Sequence, residues 1–130
     1  MSAPYLKNFE TLRLMSRVTL VSLIACMPWA SLSSAASPPA QWAGMMHLAA
    51  MAIFAFLACV SFKTLWAQAG AVVFVFVFSG LMEVLQHFSP PRTGSWEDVT
   101  MNAMGCLAGV VMFSGIRWLG WLWGRASAAA

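Results

Sequence analysis

Four long apolar runs separated by short polar connections organise this chain. They cover residues 18–32, 44–62, 69–88 and 99–123, and the first lengthens to 15–32 when Met15 and Ser16 are counted with it. Each approaches or exceeds the roughly 17 to 25 apolar residues with which a helix crosses the hydrocarbon core of a bilayer. The pattern predicts an all-α integral membrane four-helix bundle, with helices at about 15–32, 44–62, 69–88 and 99–123, forming a single domain over residues 1–130. The first run has a second reading. Preceded by Lys7, Arg13 and Arg17 and followed by the small-residue site Ser34-Ala35-Ala36, it also fits a secretory signal peptide. Cleavage there would leave three helices and an external amino terminus.

Composition sharpens the membrane reading. Hydrophobic residues make up 61% of the chain and charged residues 8%, against roughly 25% charged in soluble domains. With 130 residues there is no room for a soluble domain beside the helices. The net charge of +3 follows the connections: Lys7, Arg13, Arg17, Lys63, Arg117 and Arg125 lie at the amino terminus, in the second connection or toward the carboxyl end. Arg92 alone lies in the other set, close to Glu97 and Asp98. The positive-inside rule then predicts a multi-pass protein of the cell inner (plasma) membrane with both termini cytoplasmic and the first and third connections external. Trp29, Trp42, Trp96, Trp118, Trp121 and Trp123 fall near predicted helix ends, as interfacial aromatics do. The charge therefore reports topology, and no nucleic-acid partner is expected.

Glu83 stands within the third apolar run, with Gln86 and His87 one turn further on. An ionisable side chain in hydrocarbon costs roughly 2.5 to 3.5 kcal/mol on insertion scales and usually faces a protein interior, a partner or water. His47 lies at the start of the second helix, Glu83 and Gln86 near the end of the third, and Asp98 and Asn102 at the start of the fourth. Because spanning helices alternate in direction, all of these fall on one side of the membrane. At 1.5 Å per residue Glu83 sits roughly 7 Å below its helix end, a depth that His47 and Asn102 can match. Helical phase puts Asp98, Asn102, Gly105 and Gly109 on one stripe and Glu83, Gln86 and His87 on one face. A Glu83 face packed on an Asp98/Asn102 face is the simplest arrangement, with the glycines admitting a close helix neighbour. The proline-stiffened loop of residues 89–97 would hold Arg92 above the two carboxylates, where its planar fork could neutralise them or grip a phosphate or carboxylate.

The stretch that carries these residues, from Gly80 through Glu83-x-x-Gln86 and Arg92 to Asp98-x-x-x-Asn102-x-x-Gly105, resembles the signature of the VanZ-like membrane proteins. His47 matches a histidine that opens an earlier helix in that family. Ala43 and Gly44 stand where its members commonly carry Asp-Lys, and Met51 where an aromatic is frequent. The resemblance implies an activity in the bacterial cell envelope and a link to resistance against the glycopeptide teicoplanin, and it implies no defined reaction. It also directs attention to Gly80, which joins Gly105 and Gly109 as a helix-packing position.

Three functional versions follow. In the binding version His47, Gln86, Arg92 and Asn102 hold an envelope amphiphile, such as an anionic envelope lipid or precursor. In the enzyme version Glu83 or Asp98 is a catalytic general acid or base supported by His47. In the scaffold version the cluster only holds the bundle together, or the small-residue face docks another membrane protein. Membrane lipids are partners in each. Residue by residue, the bland readings are a structural ion pair for Glu83, helix-start chemistry for Asp98 and Asn102, interfacial placement for His47 and His87, and snorkelling for Arg117. Cys26, Cys59 and Cys106 suggest no disulfide framework. A metal site from His47, Glu83, His87 and Asp98 is chemically possible, but no tight ligand motif supports it and no phosphate loop or nucleophile elbow is present, so neither a metal nor another cofactor is expected.

Overall fold

The computed structural model describes residues 3–33, 39–88 and 95–129. They form four helices, α1 (Ala3–Leu32), α2 (Ala40–Ser61), α3 (Leu65–His87) and α4 (Trp96–Ala129), and among the described residues there is no strand. All four are long and apolar enough to cross a membrane. The all-α four-helix reading holds, and the helices run past the apolar stretches that announced them.

Local chemistry explains the extensions. On α1, Arg13 reaches Glu10 one turn earlier at 3.0 Å, and Lys63 Nζ lies 2.6 Å from the same carboxylate, so charged residues continue the helix outside its apolar part. Before α4, the Ser95 hydroxyl accepts the Asp98 amide at 3.0 Å. This is the Ser-x-x-Asp spacing of a capping box, which starts the helix three residues before the predicted 99. Thr64 caps α3 by accepting from the Ala67 amide at 3.3 Å. The 34 residues of α4 extend about 50 Å at 1.5 Å per residue. That exceeds a roughly 30 Å hydrocarbon core, and the last turns are exposed, including Trp118, Trp121 and Trp123.

The bundle has a rhombic cross-section. α2 packs on each of the other three helices, and α3 also touches α1 and α4, whereas α1 and α4 make no packed contact with one another among the described residues. α1 is held by Leu20 in the core, by Arg17 Nε donating to Ser61 O at 2.9 Å, and by Gln86 donating to Ser31 O at 3.0 Å. The small-residue site at 34–36, on which the signal-peptide alternative rests, lies outside the described residues.

Polarity is arranged inside out relative to a soluble bundle. Along α3 the buried positions are Gln68, Val75, Ser79, Met82, Glu83 and Gln86, while Val73, Phe74 and Val77 are exposed. From Val75 onward the buried stripe recurs at the helical period. Its content is polar because, with lipid outside, the interior is where hydroxyls, amides and carboxylates find partners. A compact apolar core of Leu20, Met51, Phe54, Ala55, Ala58, Val75 and Cys106 occupies the middle.

The glycine stripe of α4 meets α2, and not the Glu83 face of α3 that the sequence suggested as the simplest partner. A Cβ on Gly105 would collide with the backbone oxygen of Leu48 and lie 2.8 Å from Met51 Cβ. One on Gly109 would collide with Ala52 O and lie 2.9 Å from Ala55 Cβ. These two positions let the α2 and α4 backbones approach, as small residues do in membranes. Among the described residues, nothing lies within 4 Å of a Cβ added at Gly80.

Candidate functional site

The α2–α4 contact determines which residues form the site. Bringing the two backbones together at Gly105 places Asn102, one turn earlier, against His47 near the start of α2. His47 Nδ1 lies 3.1 Å from Asn102 Oδ1 and 3.5 Å from Glu83 Oε1 on α3. On the other side of the ring, Nε2 is 4.0 Å from Asp98 Oδ1. One imidazole thus stands among three oxygen-bearing side chains from two neighbouring helices.

The surroundings assign the ring's proton. Nδ1 faces two acceptors, so in the neutral ring it carries the hydrogen and donates to Asn102, with Glu83 alongside; this is inferred from the acceptors around it. The Nε2 lone pair then faces the Asp98 carboxylate across a gap too wide for a direct hydrogen bond. Protonation of Nε2, a bridging water or a bound group would each make that juxtaposition favourable. Asn102 is 1% exposed, and its Nδ2 donor has no acceptor among the described residues. An unused buried donor is costly.

A cleft of about 270 Å³ opens beside the cluster, lined by Glu83, Val84, His87, Phe88, Trp96 and Val99 among others. Glu83, His87 and Ser95 are its polar lining, and most of the surface is apolar. His87 is exposed on this cleft, its ring edge-on to Phe88 at 5.7 Å, so it leaves the Glu83/Gln86 face at its outer end. The arrangement can hold a polar headgroup against apolar walls, and it can pass a proton between His47 and a carboxylate.

Of the residues singled out in the sequence, His47, Glu83, Asp98 and Asn102 come together. Gln86 is buried but turns its amide to Ser31 O of α1, so it fastens the end of α1 beside the cluster. Arg92 lies outside the described residues. Gly105 and Gly109 form the α2–α4 contact, and Gly80 does not contact a helix closely among the described residues. His47, Glu83 and Asp98 each offer a ligand atom, and these atoms lie within 4.8 Å of one another. One imidazole nitrogen and two carboxylate oxygens suit a divalent ion such as Zn²⁺ or Mn²⁺. The three come from separate helices, so no local ligand spacing announced them.

Two participants were missed. Ser95 was legible as the first residue of a Ser-x-x-Asp capping pattern; it caps α4 and leaves the Asp98 carboxylate to face His47. Ser31 had no sequence signal, because its contribution is a backbone oxygen in the last turn of α1.

Fold and cluster together define a multi-pass, all-helical membrane protein with an ionisable cluster at one end of its bundle. The VanZ/LLP1 family model matches residues 3–119, and the chain belongs to that family. No curated protein and no solved structure is matched by it.

Proposed function

We propose that this protein binds the headgroup of a cell-envelope amphiphile at the His47/Glu83/Asp98/Asn102 cluster, with the apolar part of the ligand along the neighbouring cleft. The observation that carries this reading is a mainly apolar cleft with Glu83, His87 and Ser95 as its polar lining, next to a cluster in which Asn102 keeps a buried, unused donor. Asn102 Nδ2 would donate to a headgroup oxygen, and His47 and Glu83 would orient it. Arg92, which the sequence places between α3 and α4, would supply the anion-gripping fork. In this reading the cluster lies on the external side of the inner membrane with both termini cytoplasmic, as the distribution of Lys and Arg supports.

The test is native mass spectrometry on the protein extracted from its membrane. The wild type should carry an envelope lipid or precursor that Glu83→Gln and Arg92→Ala lose, and Arg92→Lys should lose nearly as much, because an ammonium lacks the bidentate fork. Identical lipid profiles in all four proteins would remove the binding reading. In cells, a link to teicoplanin resistance would appear as lower susceptibility on expression, abolished by Glu83→Gln.

A scaffold reading draws support from the His47–Asn102 and Gln86–Ser31 hydrogen bonds, which join helices at the same end of the bundle. Under it, Glu83→Gln lowers protein accumulation and a second change, Arg92→Ala, restores it. Loss of ligand at normal protein level favours binding.

A further inference from the structure

The end of the bundle opposite the cluster has a second cavity that the proposed function leaves unused. α1 and α4 both pack on α2 without packing on each other among the described residues, and the gap between them is a groove of about 590 Å³. Phe56, Leu57 and Val60 of α2 line it together with Phe113 and Ile116 of α4. Arg13, Lys63 and Arg117 also line it. Glu10 binds two of these cations, at 3.0 Å from Arg13 and 2.6 Å from Lys63. Arg117 lies over the Phe113 ring, 5.6 Å from its centroid, and has no acidic partner among the described residues. Among the described residues, the three cations that line the groove face one carboxylate, Glu10, which leaves this region positive.

From this we infer that the groove is a binding site for an anionic diacyl phospholipid, independent of the ligand at the His47 cluster. Its phosphate is held by Lys63 and Arg117, and an acyl chain lies along Phe56, Val60 and Ile116. Charge complementarity selects the occupant: an apolar slot in a membrane protein is open to any lipid, but a slot with an excess of cations favours a negative headgroup. Basic pockets between spanning helices recognise lipid headgroups in this way. Arg117 is thereby more than a snorkelling residue.

The experiment places the full chain in detergent micelles doped with phosphatidylglycerol or phosphatidylcholine and reads retained lipid by native mass spectrometry. Wild-type protein should retain phosphatidylglycerol preferentially. The double variant Lys63→Gln/Arg117→Gln should lower that preference about twenty-five-fold, on the basis of about fivefold for each basic residue near a headgroup. Arg125→Gln, which removes a cation stacked on Trp121 and not lining the groove, should leave it unchanged. Leu12→Trp, a change at an exposed residue of the lining, should reduce retention by filling the slot with every charge intact. Equal losses in Arg125→Gln and the double variant would overturn the site in favour of general surface attraction. Unchanged retention in Leu12→Trp would also overturn it, since the lipid would then lie elsewhere. Loss of the ligand at the His47 cluster bears on neither result.

Discussion

The two ends of the bundle use similar polar side chains for different purposes. At the end bearing Lys63, polar side chains bond to main-chain carbonyls in and just beyond the last turn of α2: buried Gln68 donates to Phe62 O at 2.9 Å, exposed Arg17 to Ser61 O at 2.9 Å, and the buried Ser61 hydroxyl to Leu57 O at 2.7 Å. At the other end, His47, Glu83, Asp98 and Asn102 face one another across three helices. Gln86, bonded to Ser31 O, is the counterpart of Gln68 placed beside the cluster. Burial of a polar residue therefore does not identify a site in this protein. What distinguishes the cluster is buried and half-buried side chains meeting one another, with a buried donor still unused, whereas the side-chain pairs at the Lys63 end, Glu10 with Lys63 and Arg13, are largely exposed.

The largest expected effect tests the contact that assembles the cluster. Gly109→Ala and Gly105→Ala put a methyl into backbone oxygens of α2, which cannot rotate away as a side chain can. Each should destabilise the bundle by about 2 kcal/mol or more, in the upper part of the range for overpacking. Gly80→Ala, with nothing near the added methyl among the described residues, should leave stability equal to or above wild type, because alanine favours a helix by about 1 kcal/mol over glycine. Thermal unfolding in detergent, followed by loss of the monodisperse peak, measures all three. A Gly80→Ala protein as unstable as Gly109→Ala would mean that α4 is not seated on α2 as described.

A smaller effect separates cooperative from independent side chains at the cluster. His47→Ala and Asn102→Ala each remove one half of a hydrogen bond that joins α2 to α4. The double variant should be less destabilised than the sum of the two by roughly 0.5 to 1.5 kcal/mol, the ordinary worth of such a bond. Simple additivity would show that the two residues do not interact in the membrane.

Legibility in the sequence followed the range of each interaction. Four helices were readable because an apolar run of spanning length is a local property. The common depth of His47, Glu83 and Asn102 was also readable, since alternation of helix direction fixes it without knowledge of packing. The partner of the Gly105/Gly109 stripe was not. Helical phase says which residues share a face, and only the three-dimensional arrangement says which neighbour fills it; that neighbour is α2. Gln86 shows the same limit: helical phase puts it on the face of Glu83, and both are buried, but its acceptor is a main-chain oxygen of α1, and a backbone acceptor carries no residue signature.

Gln86→Met and Gln68→Met take the comparison between the ends further. Each keeps the length of the side chain and removes a donor to a helix-end carbonyl, so each should cost about 1 kcal/mol. If Gln86 acts only as a fastening, Gln86→Met retains the co-purifying amphiphile as well as Gln68→Met does. If it touches the ligand, Gln86→Met loses the amphiphile at matched stability while Gln68→Met keeps it.

The smallest change in stability is expected at Glu10, whose carboxylate is more than half exposed while holding Lys63 and Arg13. Exposed ion pairs contribute little, because water screens them and ordering two long side chains opposes them. Glu10→Gln should therefore unfold within experimental error of wild type. Its effect on the groove should be larger and opposite in sign to that of the cation variants: with the carboxylate gone, Lys63 and Arg13 are released toward the headgroup. Phosphatidylglycerol retention should rise by up to about fivefold, the contribution of one unit of charge near a lipid surface. In 1 M salt, where the screening length is about 3 Å, the gain should largely vanish. A fall in retention would mean that Glu10 orders the two cations for the lipid, and a change in unfolding temperature as large as that of Gln68→Met would mean that this ion pair stabilises the bundle as much as a buried helix-end tie.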